Sequence, residues 1–181
     1  MNYCVVILAF FNLFTKQPPY QKFSDEIIER HRKEILVPRR LSYCVMGGGN
    51  DQGIKTIHLG VSTKGPGSIE EGRRLLVFLV EDLLNRYNTH QKIRPHLSNF
   101  PYTPNNLTYK IWYNGPKGGF WIIQDQQSPE KEIAHIAMYR GKIKYNINLS
   151  DKILPLKAVH TETYEEAKKI VMEEQHYSKQ L

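Results

Sequence analysis

The stretch Ala134-His-Ile-Ala-Met-Tyr-Arg-Gly-Lys-Ile-Lys-Tyr-Asn-Ile147 decides the fold. Apolar residues recur at every second position on both sides of Arg140-Gly141, the signature of two antiparallel strands around a two-residue turn. That turn sets Tyr139 opposite Lys142, Met138 opposite Ile143, Ile136 opposite Tyr145 and Ala134 opposite Ile147. The last three pairs then share one buried face. A three-residue turn sets Ile136 opposite Lys144 and works against the pattern, because a slip of one residue sends every side chain to the other face. The opposite face of this hairpin carries His135, Ala137, Tyr139, Lys142, Lys144 and Asn146.

Working outward, the apolar face needs a cover. Ser68-Ile-Glu-Glu71 is a capping box, in which serine accepts from the N3 amide and glutamate reaches back. It opens a helix over Ile69–Tyr87, whose Leu76, Leu79, Val80, Leu83 and Tyr87 form an unbroken stripe. Leu75, Val77 and Phe78 widen that stripe, so the helix is expected to be covered on more than one side. A second capping box, Thr163-Tyr-Glu-Glu166, predicts a helix to Gln175 with Ala167, Ile170 and Val171 inward,. Ser24 is expected to cap a third helix, Asp25–Leu36, with Pro38 beyond its end,.

Further strands are predicted at Leu41–Met46, Thr56–Thr63, Leu107–Tyr113, Gly119–Gln124, Glu132–Tyr139 and Lys142–Leu149,. Gly47–Asp51 reads as a flexible turn closing a hairpin of the first two,. Arg94–Asn106 reads as a loop, because Pro95, Pro101 and Pro104 deny it a regular helix,. Together these predict an α+β fold: an antiparallel sheet of about five or six strands, a long helix packed on one face, and flanking shorter helices. The chain divides into residues 1–23, an apolar segment and a Pro-containing linker, and residues 24–181, a single domain.

Composition agrees with that division. The 181 residues are 40% hydrophobic and 24% charged, which excludes collagen-like, low-complexity and wholly disordered chains. The net charge of +7 leans N-terminal, and Arg30, Arg32, Lys33, Arg39 and Arg40 form its densest cluster. Interleaved with Glu29 and Glu34, that cluster reads as a solvated helix face,. Cys4 and Cys44 are too few for a disulfide framework,. Within Leu41–Met46, Cys44 is expected to be a buried, inert thiol.

Tyr3–Phe14 is almost unbroken apolar, with Val5, Val6, Ile7, Leu8, Phe10, Phe11, Leu13 and Phe14 as its candidate membrane-contacting residues. It is shorter than the ~20 residues a spanning helix needs, but suits the apolar region of an export signal or a short anchor. No Lys or Arg precedes it, and no small-x-small cleavage site follows. Packing into the core or lying in the membrane interface are the other two readings.

No motif points to a cofactor, a metal or a catalytic group. Gly60–Ser68 has the outline of a phosphate loop, but Pro66-Gly67 stands where Lys-Ser/Thr would have to follow the last glycine,. The seven histidines show no metal-ligand spacing,. An enzyme reading requires His58, His96 and His135 to converge in a pocket. The candidate interaction surface is the polar sheet face, where Lys110, Trp112, Tyr139, Lys142 and Lys144 would lie. Lysines alternating with aromatic residues can hold a protein, a lipid surface or single-stranded nucleic acid. On an edge they also guard against aggregation.

One region resembles an uncharacterised bacterial family. Its marks are Glu70-Glu-Gly-Arg-Arg-Leu-Leu-Val77, the loop Arg94-Pro-His-Leu97, and the turn Pro101-Tyr-Thr-Pro-Asn-Asn106 leading into a strand. The resemblance implies an exported or envelope-associated protein and assigns no functional residue. The expected function is thus a non-enzymatic interaction domain, membrane-tethered or exported. The alternatives are a cytosolic nucleic-acid-binding domain and an enzyme with a His-lined pocket.

Overall fold

A computed structural model describes residues 18–50, 53–125, 127–150 and 156–177. The apolar segment Val5–Phe14 and Cys4 lie outside the described residues. The fold is α+β. In chain order the elements are α1 (Pro19–His31), β1 (Ser42–Asn50), β2 (Gly53–Lys64), α2 (Ile69–Thr89), β3 (Leu107–Asn114), β4 (His135–Tyr139), β5 (Lys142–Ile147), β6 (Lys157–Thr163) and α3 (Tyr164–Tyr177). The strands form one open sheet in the order β1-β2-β3-β4-β5-β6.

The sheet is mixed, which corrects the purely antiparallel expectation: β2 and β3 run parallel, while every other pair is antiparallel. The reason lies in the connection. Tight turns force antiparallel neighbours, whereas the link from β2 to β3 contains the whole of α2, long enough to return the chain to the starting end. The hairpin register is as expected, with Tyr139↔Lys142, Met138↔Ile143 and Ile136↔Tyr145. Arg140 and Gly141 both take positive φ, 48° and 72°, as a primed two-residue turn demands.

Both capping boxes form. Ser68 Oγ accepts from the Glu71 amide at 3.1 Å, and Thr163 Oγ1 accepts from the Glu166 amide at 3.3 Å. Ser24 does not cap α1. That helix starts earlier, with Pro19 at its first position, where a missing N–H costs nothing. Ser24 lies inside it and its hydroxyl meets Tyr87 Oη at 2.6 Å. After His31 the chain widens through a π-turn, Arg32–Leu36, and then tightens through a 3-10 turn, Val37–Arg39,.

Four further expectations are corrected. The Gly47–Asp51 turn is largely strand, since β1 runs to Asn50 and pairs it with Gly53. Gly119–Gln124 is not a strand. Gly118 and Gly119 turn at φ 86° and 73°, and only the bridge Asn114↔Phe120 follows. The strand placed at Glu132–Tyr139 starts at His135. Cys44 is exposed, because the Tyr43/Val45 bulge of β1 displaces it from the inward row.

The core is one cluster. Ile57, Leu59 and Val61 of β2, Tyr109 and Ile111 of β3, Ile136 and Met138 of β4, and Ile143 and Tyr145 of β5 share it with Leu76, Leu79, Val80 and Leu83 of α2. Phe78 is the exception on that helix, 39% exposed beneath the Arg39 guanidinium, 4.1 Å from its ring centre. β6 is tied in by polar contacts. The Arg73 Nε of α2 donates to Glu162 at 2.8 Å, with both side chains largely buried.

Candidate interaction surface

The side of the sheet away from those apolar side chains is built as three rows across the strands. The first is His58–Thr108–Tyr139–Lys142–Thr163, the second Gly60–Lys110–Ala137–Lys144–Thr161, and the third Ser62–Trp112–His135–Asn146. All five residues singled out for the candidate surface lie on this face. Lys110, Lys142 and Lys144 are exposed, Tyr139 is 54% exposed, and Trp112 is half-buried. No Asp or Glu occupies any of the row positions. Lys110 and Lys144 flank the small Ala137 two strands apart, about 10 Å at ordinary strand spacing. Arg140 places its guanidinium 5.1 Å from the Tyr139 ring centre, adding a fourth cation at one end.

The third row is different in kind. His135 and Asn146 are both buried, at 9% exposure. The His135 ring lies 5.6 Å from Trp112 and 6.3 Å from Phe120, centre to centre. Phe120 comes from the loop after β3, which Trp121 holds by donating its amide to the Tyr113 carbonyl at 2.7 Å. That loop encloses a shallow cavity of about 420 Å³ lined by Pro116, Lys117, Phe120, Trp121 and Ile122.

Asn146 fixes the imidazole. Its Nδ2 lies 3.2 Å from His135 Nδ1, 3.3 Å from the Lys144 carbonyl and 3.4 Å from the His135 carbonyl. Two carbonyls around one amide atom require that atom to be the NH2 group, so His135 Nδ1 is the acceptor. Burial foremost, then the Lys110 charge, pushes the His135 pKa down to about 4. The ring is therefore neutral at pH 7 and carries its proton on Nε2.

Elsewhere, the site readings resolve into structure. The amides of Gly65 and Gly67 already donate to the carbonyls of Asn114 and Ile133, and Glu71 Oε2 meets the Ser68 amide at 3.2 Å. Within the phosphate-loop outline the amides of Gly65, Gly67 and Ser68 are therefore already engaged, and the stretch is a pinned connection. His58, His96 and His135 do not converge. His58 pairs with Thr56 at 3.4 Å, His96 lies against Tyr20 and Phe23, and His135 against Trp112. A groove of about 610 Å³ between α1 and α2 is lined by Arg30, Asp82, Asn85, Arg86 and Lys92. At its wall, Asp82 accepts from Arg86 at 2.6 Å and meets the fully buried His31 at 2.6 Å, and Arg86 continues to Glu34 at 2.8 Å.

Sequence reasoning found the lysines and aromatics of this face and missed Phe120 and the buried character of His135 and Asn146. The signal was Gly118-Gly119-Phe-Trp121, a glycine pair that folds two aromatic rings back rather than starting a strand. Compared with known proteins, the chain matches no protein-family model, no curated protein and no solved structure.

Proposed function

We propose that this chain is a non-enzymatic interaction module that captures an anionic partner on the open face of its sheet. In this reading the long helix α2 packs on the apolar face, and the polar face is left to work. The observation that carries it is the charge pattern: three exposed lysines on the row positions and no carboxylate among them. Surface charges usually alternate in sign, whereas a field of one sign concentrates oppositely charged ligands and speeds their encounter.

The apolar run Tyr3–Phe14 supports placing the module at a membrane or beyond it, as tethered or exported protein. No helix among the described residues is long and apolar enough to cross a membrane, so such a tether rests on residues 3–14.

Elution of the full chain from immobilised heparin tests the reading. Lys110→Ala together with Lys144→Ala is expected to lower the eluting salt concentration clearly, with the circular dichroism spectrum unchanged because both side chains are exposed. Elution of the double variant with the unaltered protein would show that the charge acting on polyanions lies elsewhere, for example in the Arg30–Arg40 cluster.

A further inference from the structure

We infer that the third row of the open face is a base-reading slot, and that the partner is a single-stranded nucleic acid. A keto base (thymine, uracil or guanine) accepts a hydrogen bond from His135 Nε2–H there, while Lys110, Lys142 and Lys144 hold phosphates. The inference rests on the anion-capture reading of the same face and adds the class of anion.

Four observations lead to it. First, His135 Nε2 has no hydrogen-bonding partner among the described residues and is not among the sealed polar atoms left unsatisfied, so this mostly buried ring keeps its donor in contact with solvent. Second, Asn146 fixes which nitrogen donates, so His135 presents a donor to the slot. Third, that donor is set among the rings of Trp112 and Phe120, and aromatic side chains are the platforms on which unpaired bases stack. Fourth, Lys110 is the next outward residue along β3 from Trp112, and the second row continues from it to Lys144. A chain with planar rings and regularly spaced negative charges matches both halves of the face. Acidic peptides and anionic lipid head groups match only the lysines.

A donor at this position discriminates among bases. Thymine, uracil and guanine offer a carbonyl oxygen where cytosine and adenine offer an amino group.

The test is fluorescence anisotropy of the full chain with labelled oligo-dT, oligo-rU and oligo-dA of equal length. Oligo-dT and oligo-rU are expected to bind roughly fivefold tighter than oligo-dA, the value of about one hydrogen bond. Three phosphate contacts give a log–log salt slope of about −2 for a single strand, and the Lys110→Ala, Lys144→Ala double variant about −0.7. His135→Phe keeps a ring between Trp112 and Phe120 and removes the donor, so it lowers oligo-dT binding to the oligo-dA level. Equal affinities for oligo-dT and oligo-dA, or a preference that survives His135→Phe, overturn the slot. Binding to heparin or anionic vesicles without binding to any oligonucleotide overturns the nucleic-acid partner and leaves anion capture standing. Binding to none of these probes overturns both.

Discussion

At the scale of single residues, His135 and Asp82 respond to acid through opposite causes and in different windows. A neutral, buried imidazole binds its proton near pH 4 in the folded chain and near ~6.5 in the unfolded one. Between those values the unfolded state holds more protons, so stability is full above about pH 6.5 and falls as the pH drops. The expected loss is about 2 kcal/mol between pH 7 and pH 5. Urea unfolding across that range measures it, and His135→Phe should remove this share of the slope. The Asp82 carboxyl is raised by burial but more than compensated by the His31 and Arg86 hydrogen bonds, and ends below its usual value. Its contribution is present above the ordinary ~3.9 and lost only below it, so it does not disturb the His135 measurement. Gly67 makes a different kind of demand. A Cβ there would lie 2.3 Å from the Tyr113 ring, a clash no rotamer of the added atom avoids. Gly67→Ala should therefore cost roughly 1–3 kcal/mol, as overpacking of a filled interior does, read as a lowered urea midpoint.

At the scale of elements, the boundary after α1 shows how local rules act when an unsuited residue fills a suited place. Leu41 donates its amide to the Leu36 carbonyl at 3.0 Å and Arg40 to the Val37 carbonyl at 3.0 Å, the two bonds of a Schellman cap. Leu36 and Leu41 are both buried, completing its hydrophobic contact. The left-handed position belongs to Arg40, at φ 56°, where glycine is the ordinary choice. Arg40→Gly should raise stability by about 0.5–1 kcal/mol, and an unchanged or lower urea midpoint would contradict the cap. Elements governed by such local chemistry were legible in the sequence: α2 and α3 from their capping boxes, and β4–β5 from alternation about a tight turn. β6 was not, because its inward positions hold His160 and Glu162, opposite Tyr145 and Ile143, so no apolar alternation marks it. The parallel pairing of β2 with β3 was also hidden, since strand direction there follows from a long connection and not from any neighbouring residue. Of the candidate surface, the exposed residues could be read from period two. The Phe120 fold-back carried only the local mark of its glycine pair, and the meeting of its ring with His135 could not be read, because that contact joins residues from separate elements.

At the scale of the whole molecule, an open sheet with β1 and β6 at its edges should not be uniformly stable. Opening proceeds from edges inward, since a central strand is released only after its neighbours. Amide hydrogens of β3 and β4 are therefore expected to exchange most slowly and those of β1 and β6 fastest. Equal protection across all six strands would mean that the sheet opens only as a unit. The pairing about Arg140-Gly141 has a final consequence. Ile143 and Tyr145 point one way and Lys142 and Lys144 the other on the same six-residue strand, so the cations cannot be misplaced while the core remains intact. A slipped β5 would expose two large apolar side chains and bury two ammonium groups in the same movement. The fold thereby proofreads its own surface: a molecule that has passed the test of packing already displays its lysines in the correct order.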